Sequence, residues 1–305
     1  MDVIYQRCCG VDVHKKVLVV CLMSGKKKEI KTYGTSTRDL LSLSDWLSEN
    51  RCEAVAMEST ASYWKPLYNV LEATEMKVIV ANPQHIKNVP GKKTDMKDAE
   101  WIADLLRHGL IQASFIPNKG QRELREQLKY RQSLVTDRTA ELNRLQKMLE
   151  GGNIKLSGTV SNILGKSSRV LIEGIINGEK YTQDDIERMF EDHTLSKGLK
   201  ASSGQIVKDL EGILTSAQIV IMKMCLEHID YLTLAINKID ELVEAELSLE
   251  QREAVEALTA IPGISKVSAK NIIAVIGTDM SHFPSERHLS KWAGLCPGNN
   301  ESAGK

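Results

Sequence analysis

The 305-residue sequence predicts an α/β N-terminal domain, two long coiled-coil helices after it, and an α-helical C-terminal domain. Three observations carry this. Residues 8–116 alternate short β-branched runs with segments of helical period. Residues 119–149 and 215–247 each repeat apolar residues every seven positions. Beyond residue 252, helical patterns flank the turn Ile261-Pro262-Gly263-Ile264.

Residues 9–13 and 17–23 are apolar and β-branched and read as strands, the second ending at the Ser24-Gly25 turn signal. Residues 29–33 are a candidate third strand. Thr35, Ser36 and Thr37 offer N-caps for a helix that carries Leu40, Leu41, Leu43, Trp46 and Leu47. A fourth strand is expected over 53–57, a helix over 63–73 and a fifth strand over 77–81. Turn formers fill 82–91, and Thr94 caps a helix over 95–108. The order β-β-β-α-β-α-β-α, a meander followed by αβ units, predicts a mixed sheet.

In the first long helix Leu128, Val135, Leu142 and Leu149 hold the seven-residue spacing, with Leu124 and Leu145 at the companion position. Arg131 and Arg138 interrupt that companion line. In the second, Met222, Ile229, Ile236 and Val243 keep the same spacing. The pattern suits coiled-coil arms or partners in a helical bundle, and it argues for a dimer or tetramer. Residues 151–212 read as small helices with Gly breaks, one of them over 182–190. The expected domains are therefore 1–116, 117–250 with a helical insert at 151–212, and 251–305.

Composition limits the classes of function. Hydrophobic residues make up 42% and charged residues 26%, so the chain has ample core material and is not wholly disordered. The longest apolar run, 17–23, is far below the roughly 20 residues of a membrane span, and no secretory signal is evident. A cytoplasmic protein without a membrane partner is expected. The six cysteines include no Cys-x-x-Cys pair, so they read as reduced, mostly buried thiols and not as a zinc site. With 40 Lys and Arg against 40 Asp and Glu, the net charge is zero, which by itself argues against nucleic acid. The total hides opposite segments. Residues 119–150 carry eight basic and five acidic side chains, +3, and residues 227–256 carry two basic and nine acidic, −7. The second surface is expected to avoid phosphate and to suit a protein partner.

Four carboxylates stand at telling places. Asp12 lies within a strand, in Gly10-Val11-Asp12-Val13-His14-Lys15, where a charge is costly unless paired or metal-bound. Glu58 ends the fourth strand. Asp95 and Asp98 are three apart on one helix and share a face. Converging, they would offer the oxygen donors that Mg²⁺ or Mn²⁺ prefers, and two such ions clamp a phosphodiester. Taken singly, Asp95 also reads as a first-turn residue favoured by the helix dipole, and Glu58 as a surface residue at a strand end.

Those segments, with Met57-Glu58-Ser59-Thr60-Ala61-Ser62-Tyr63-Trp64, Asn82-Pro83 and Lys93-Thr94-Asp95-Met96-Lys97-Asp98-Ala99, resemble the DEDD-type insertion-sequence transposases. These are RNA-bridged recombinases with a RuvC-like, ribonuclease-H-fold N-terminal domain; the resemblance there spans about residues 8–116. It implies catalytic and metal-binding roles for Asp12, Glu58, Asp95 and Asp98. A second resemblance lies in Trp292-Ala293-Gly294-Leu295-Cys296-Pro297 and Glu301-Ser302-Ala303-Gly304-Lys305. It implies that Ser302 is a nucleophile that forms a phosphoserine link to DNA, chemistry open to a hydroxyl activated by a base or metal. The family's C-terminal domain continues beyond this serine, so a shortened chain is expected, with the working site assembled between domains or subunits.

Ile261-Pro262-Gly263-Ile264-Ser265-Lys266 resembles the helix-hairpin-helix pattern, in which Gly263 permits the turn and backbone N–H groups hold a DNA phosphate, aided by Lys266 and Lys270. Lys92 and Lys93, with His85 and Lys87, precede Asp95 where a phosphate backbone would pass. Arg122, Arg125, Lys129 and Arg131 are the candidate RNA-contacting residues of the first long helix. The function implied is an RNA-guided DNA recombinase that cleaves and rejoins donor and target DNA with a bridge RNA, Mg²⁺ or Mn²⁺, and a homo-oligomer. The alternatives are a metal-dependent junction nuclease that uses water, and an inactive shortened copy that binds nucleic acid.

Overall fold

The structure is a computed structural model, and it describes residues 2–25, 27–83, 86, 98–160, 162–196, 199 and 201–295. The chain divides into two compact units, Met1–Ile116 and Pro117–Lys305.

The first unit holds β1 (Arg7–Val13), β2 (Val17–Ser24), β3 (Lys27–Gly34), α1 (Thr37–Glu49), β4 (Ala54–Glu58), α2 (Trp64–Leu71), β5 (Lys77–Ala81) and α3 (Asp98–Arg107). The sheet order is β3-β2-β1-β4-β5. β1 pairs antiparallel with β2, and β2 with β3; β1 runs parallel to β4, and β4 to β5. This is the expected mixed sheet in the expected element order. Thr94 and Asp95, read as the start of the last helix, lie outside the described residues. Of the three candidate caps for α1, Ser36 closes it, in a capping box with Asp39.

The two-residue period of β1 feeds two cores. Cys9, Val11 and Val13 pack with Leu18, Val20, Val55 and Met57 against Leu43, Leu47, Leu67 and Leu71 of α1 and α2. Each of those buried leucines stabilises by roughly 1.5–3 kcal/mol relative to exposure. Cys8, on the opposite face, packs with Cys21, Ala54, Ala56, Ile79 and Ala81 against Ala99, Ile102, Ala103 and Leu106 of α3. Covered on both faces, β1 reads as a near-continuous apolar run, which is why Asp12 stands out in it.

The second unit holds α4 (Lys119–Gly151), α5 (Leu156–Thr159), α6 (Lys166–Ile176), α7 (Gln183–Glu191), α8 (Ser203–Leu210), α9 (Ser216–Glu246), α10 (Leu249–Thr259), α11 (Lys266–Ile276) and α12 (Glu286–Trp292). α4 and α9 form an antiparallel pair: Gln127 meets Glu246, Arg131 meets Asp240, Arg138 meets Thr233, and Glu141 meets His228. The heptad residues Met222, Ile229, Ile236 and Val243 are all buried, and so are Leu124, Leu128, Leu145 and Leu149. Small helices from the insert pack on one end of the pair, around Leu145, Leu149, Leu171, Ile172, Ile206 and Met222. At the other end Leu124, Leu128, Val243 and Leu247 enclose Ala274 of α11.

Two expectations change here. The seven-residue repeats meet each other inside one chain, so they no longer argue for a second copy. Part of the acidic segment also finds partners within the chain. Arg169 of α6 binds Asp230, Arg131 binds Asp240, and Lys266 and Lys270 bind Glu244. Among the described residues no helix is long and apolar enough to cross a membrane.

Candidate functional site

The register of β1 and β4 decides where two of the carboxylates stand. Cys8 pairs with Ala54, Gly10 with Ala56 and Val11 with Met57. One step further sets Asp12 beside Glu58 at the carboxyl ends of neighbouring parallel strands. Asp12 follows Gly10 by two residues and Glu58 follows Ala56 by two, so both belong to the face that α3 covers. The Asp12 side chain is 19% exposed, and its Oδ2 lies 3.0 Å from Nε2 of His14. Glu58 is half-buried and also engaged.

α3 brings the third carboxylate. Ala99 and Ala103 lie against Gly10, the Cys8 thiol faces the Ala103 carbonyl at 3.6 Å, and the Arg107 carbonyl accepts from the Ile4 N–H at 2.9 Å. The helix therefore descends from the carboxyl end of β1 to its amino end. Asp98, just before Ala99, is thus at the Asp12 end. The next acidic residue, Glu100, is tied to Lys28 of β3. Burial pushes the nearby Cys21 thiol up to about 11, and the Glu100 charge adds to that.

Asp95, Ser302, Lys92 and Lys93 lie outside the described residues, as do His85 and Lys87. Among the described residues no group of three or more His, Cys, Asp and Glu side chains is gathered closely enough to hold a metal ion. The donor set does suit a hard divalent cation. It consists of carboxylate oxygens open to solvent at two strand ends and one helix start, and the thiols of Cys8, Cys9 and Cys21 are buried in the cores.

The residues expected to meet nucleic acid divide by geometry. Gly263 has φ +92°, a left-handed conformation that glycine adopts without strain, and it turns the chain between α10 and α11. Ser265 caps α11 by accepting from the Ser268 N–H. Lys266 is exposed, with its Nζ 3.1 Å from Glu244 Oε1. Lys270 departs from expectation. Its side chain is 8% exposed and its Nζ lies 2.5 Å from Glu244 Oε2, so its charge is held inside the fold and not offered to phosphate. Arg131 departs likewise. It grips Asp240 through Nε at 2.6 Å and Nη2 at 2.9 Å, and this hydrogen-bonded pair raises its pKa further. Arg122 donates to the Pro117 carbonyl at 2.7 Å, Arg125 Nε is buried without a hydrogen-bond partner, and Lys129 is exposed.

Sequence reasoning missed Glu244, which clamps both lysines, and His14 as the partner of Asp12. It also missed Glu141. Burial pushes the Glu141 carboxyl up, but hydrogen bonds from His228 and Cys225 and the Arg144 charge outweigh that and hold it below its ordinary value. Only His14, two residues from Asp12 and just past the end of β1, carried a local signal.

Comparison with known proteins adds the following. A family model for DEDD transposases of the IS110 type, described as "Transposase", matches residues 9–154. A second, for the transposase IS116/IS110/IS902 family, matches residues 255–305. The transposase for insertion sequence element IS1111A of Coxiella burnetii (strain RSA 493 / Nine Mile phase I) is 23% identical over 306 residues, which cover 97% of this chain and 70% of that protein. Among solved structures, T. thermophilus RuvC in complex with Holliday junction substrate aligns over 36% of this chain and 99% of its own, at 15% identity and a TM-score of 0.26.

Proposed function

The chain belongs to the IS110-type DEDD transposases and is a DNA transposase, and from that premise we propose that it is an RNA-guided recombinase with a carboxylate metal site in a RuvC-like domain and a serine nucleophile. The observation that carries the metal site is the placement of Asp12 beside Glu58 on adjacent strand ends, with Asp98 at the same end of α3. Asp12, Glu58, Asp95 and Asp98 would hold the Mg²⁺ or Mn²⁺. Bound there, the cation supplies charge stabilisation at a scissile phosphate. His14, at hydrogen-bond distance from one Asp12 oxygen, orients that carboxylate.

Ser302 is the proposed nucleophile. Its Oγ loses a proton and bonds to the phosphorus as the strand's leaving hydroxyl departs, which conserves the bond for rejoining. In the second unit, backbone N–H groups of the first turn of α11 and the exposed Lys266 are the proposed phosphate contacts. The guide RNA and a homo-oligomer rest on the family resemblance.

The test combines the chain with guide RNA, donor and target DNA, and Mg²⁺. A covalent protein–DNA adduct on a denaturing gel is expected for the unaltered chain and absent for Ser302→Ala. Asp12→Asn is expected to lose strand cleavage while its circular dichroism stays unchanged. Cleavage without an adduct would instead establish the water-using junction nuclease. Binding without cleavage would establish a non-catalytic copy.

A further inference from the structure

α3 lies on the central strand with almost no gap. A Cβ on Gly10 would stand 2.2 Å from the Ala99 carbonyl oxygen, 2.3 Å from the Ala103 nitrogen and 2.9 Å from the Ala103 Cα. All three are backbone atoms, so no side-chain rotation relieves the clash. Contacts under 3.0 Å are essentially never made, so strand and helix would have to part by at least about 0.8 Å. Gly10 is not among the glycines with positive φ, so space and not backbone conformation selects glycine here. The helix face turned to it is small as well: Ala99 and Ala103, one turn apart, are 1% and 0% exposed.

The place of this contact gives it meaning. Gly10 precedes Asp12 by two residues on the same face of β1, and Ala99 follows Asp98. This tight contact therefore lies between the strand segment that carries Asp12 and the helical turn that carries Asp98. The Lys28–Glu100 ion pair ties that turn to the sheet from β3. Mg²⁺ accepts oxygen ligands only near 2.0–2.1 Å, and a working site tolerates about 0.5 Å of misplacement. A parting of about 0.8 Å exceeds that tolerance.

We propose that Gly10 is a positioning residue of the carboxylate site: by lacking a side chain it sets the strand-to-helix separation at which Asp12 and Asp98 share one divalent cation. The proposal rests on the reading of those carboxylates as a metal site, and its test separates the two. Mn²⁺ binding to the full chain is followed by loss of the free-ion electron paramagnetic resonance signal, with circular dichroism and thermal melting recorded on the same samples. The unaltered chain is expected to bind Mn²⁺ and Asp12→Asn to lose that binding. Gly10→Ala is expected to keep its secondary structure and bind at least about tenfold more weakly. Leu105→Ala, which opens the same core away from the carboxylates, serves as the comparison and is expected to bind normally while melting lower. If Gly10→Ala does not fold, Ala103→Ser widens the same gap more gently and is read in the same way.

Normal Mn²⁺ affinity in a folded Gly10→Ala chain overturns this proposal alone, and so does equal weakening in Leu105→Ala. Loss of the fold in both Gly10→Ala and Ala103→Ser overturns it too, because the contact would then hold the domain together and not the ligands apart. Absence of Asp12-dependent Mn²⁺ binding in the unaltered chain removes the metal-site reading and this proposal with it.

Discussion

Arg131 and Asp240 sit opposite each other in the seam between α4 and α9, and their replacement tests how that helix pair is held. The Arg131 side chain is 14% exposed and that of Asp240 35%. Two short parallel hydrogen bonds join them, the geometry that makes arginine–carboxylate pairs strong. Asp240→Leu leaves a largely covered guanidinium with two unmet donors. Removing one partner of a fully buried pair costs 3–5 kcal/mol; with Asp240 a third open to water, about 2–3 kcal/mol is expected here. Arg131→Leu leaves a carboxylate that water can reach, and costs about 1 kcal/mol. The double replacement extends the apolar seam formed by Leu128, Val135, Ile236 and Val243. It is expected to fall within about 1 kcal/mol of the unaltered chain or above it. Urea unfolding followed by circular dichroism reads the cycle. At a slope of about 2 kcal/mol per molar, Asp240→Leu lowers the midpoint by about 1–1.5 M. A shift under about 0.2 M for Asp240→Leu, or a double variant as unstable as the two singles summed, would show that the pair does not hold the seam in this way.

Two further predictions follow from ionisation. Hydrogen bonds from Lys270 and Lys266 hold the Glu244 carboxyl below its ordinary value of 4.5. A depressed carboxyl stabilises the fold above the unfolded value and loses that contribution as pH falls through the lower folded value. The urea midpoint is therefore expected to fall more steeply between about pH 5 and pH 2 for the unaltered chain than for Glu244→Gln. Equal slopes would show that the clamp contributes nothing. Burial pushes the thiols of Cys8 and Cys52 up to about 12, and those of Cys21 and Cys225 up to about 11. Alkylation near pH 8, mapped by peptide mass spectrometry, is expected to spare these four in the folded chain and to label them in urea. Rapid native labelling of Cys8 or Cys52 would contradict their place in the two cores.

Much of the first unit was legible because its signals are local. Alternating β-branched runs gave all five strands within a few residues, and the Ser36 cap, one of three candidates, follows from a side chain that bonds its own helix start. The charge in the apolar run of β1 marked Asp12. Glu58 was harder to read, because a strand-end acid has an ordinary surface role as well. The pairing of β1 with β4 brings it to the same sheet end as Asp12, through a register that no local pattern specifies.

Local patterns along the chain specify which segments are strands and helices, which helices carry an apolar seam, and that carboxylates interrupt strand and helix patterns. These depend on period, propensity and capping, all of them properties of neighbouring residues. Tertiary structure alone decided what each seam and charge faces. It turned two heptad repeats into partners within one chain, matched the acidic helix with Arg131, Arg169, Lys266 and Lys270, and closed α3 onto Gly10. Such pairings join residues from 22 positions apart, as Lys266 is from Glu244, to 109, as Arg131 is from Asp240. Their free energy comes from burial and charge neutralisation once the chain has closed on itself, so no window of sequence contains it.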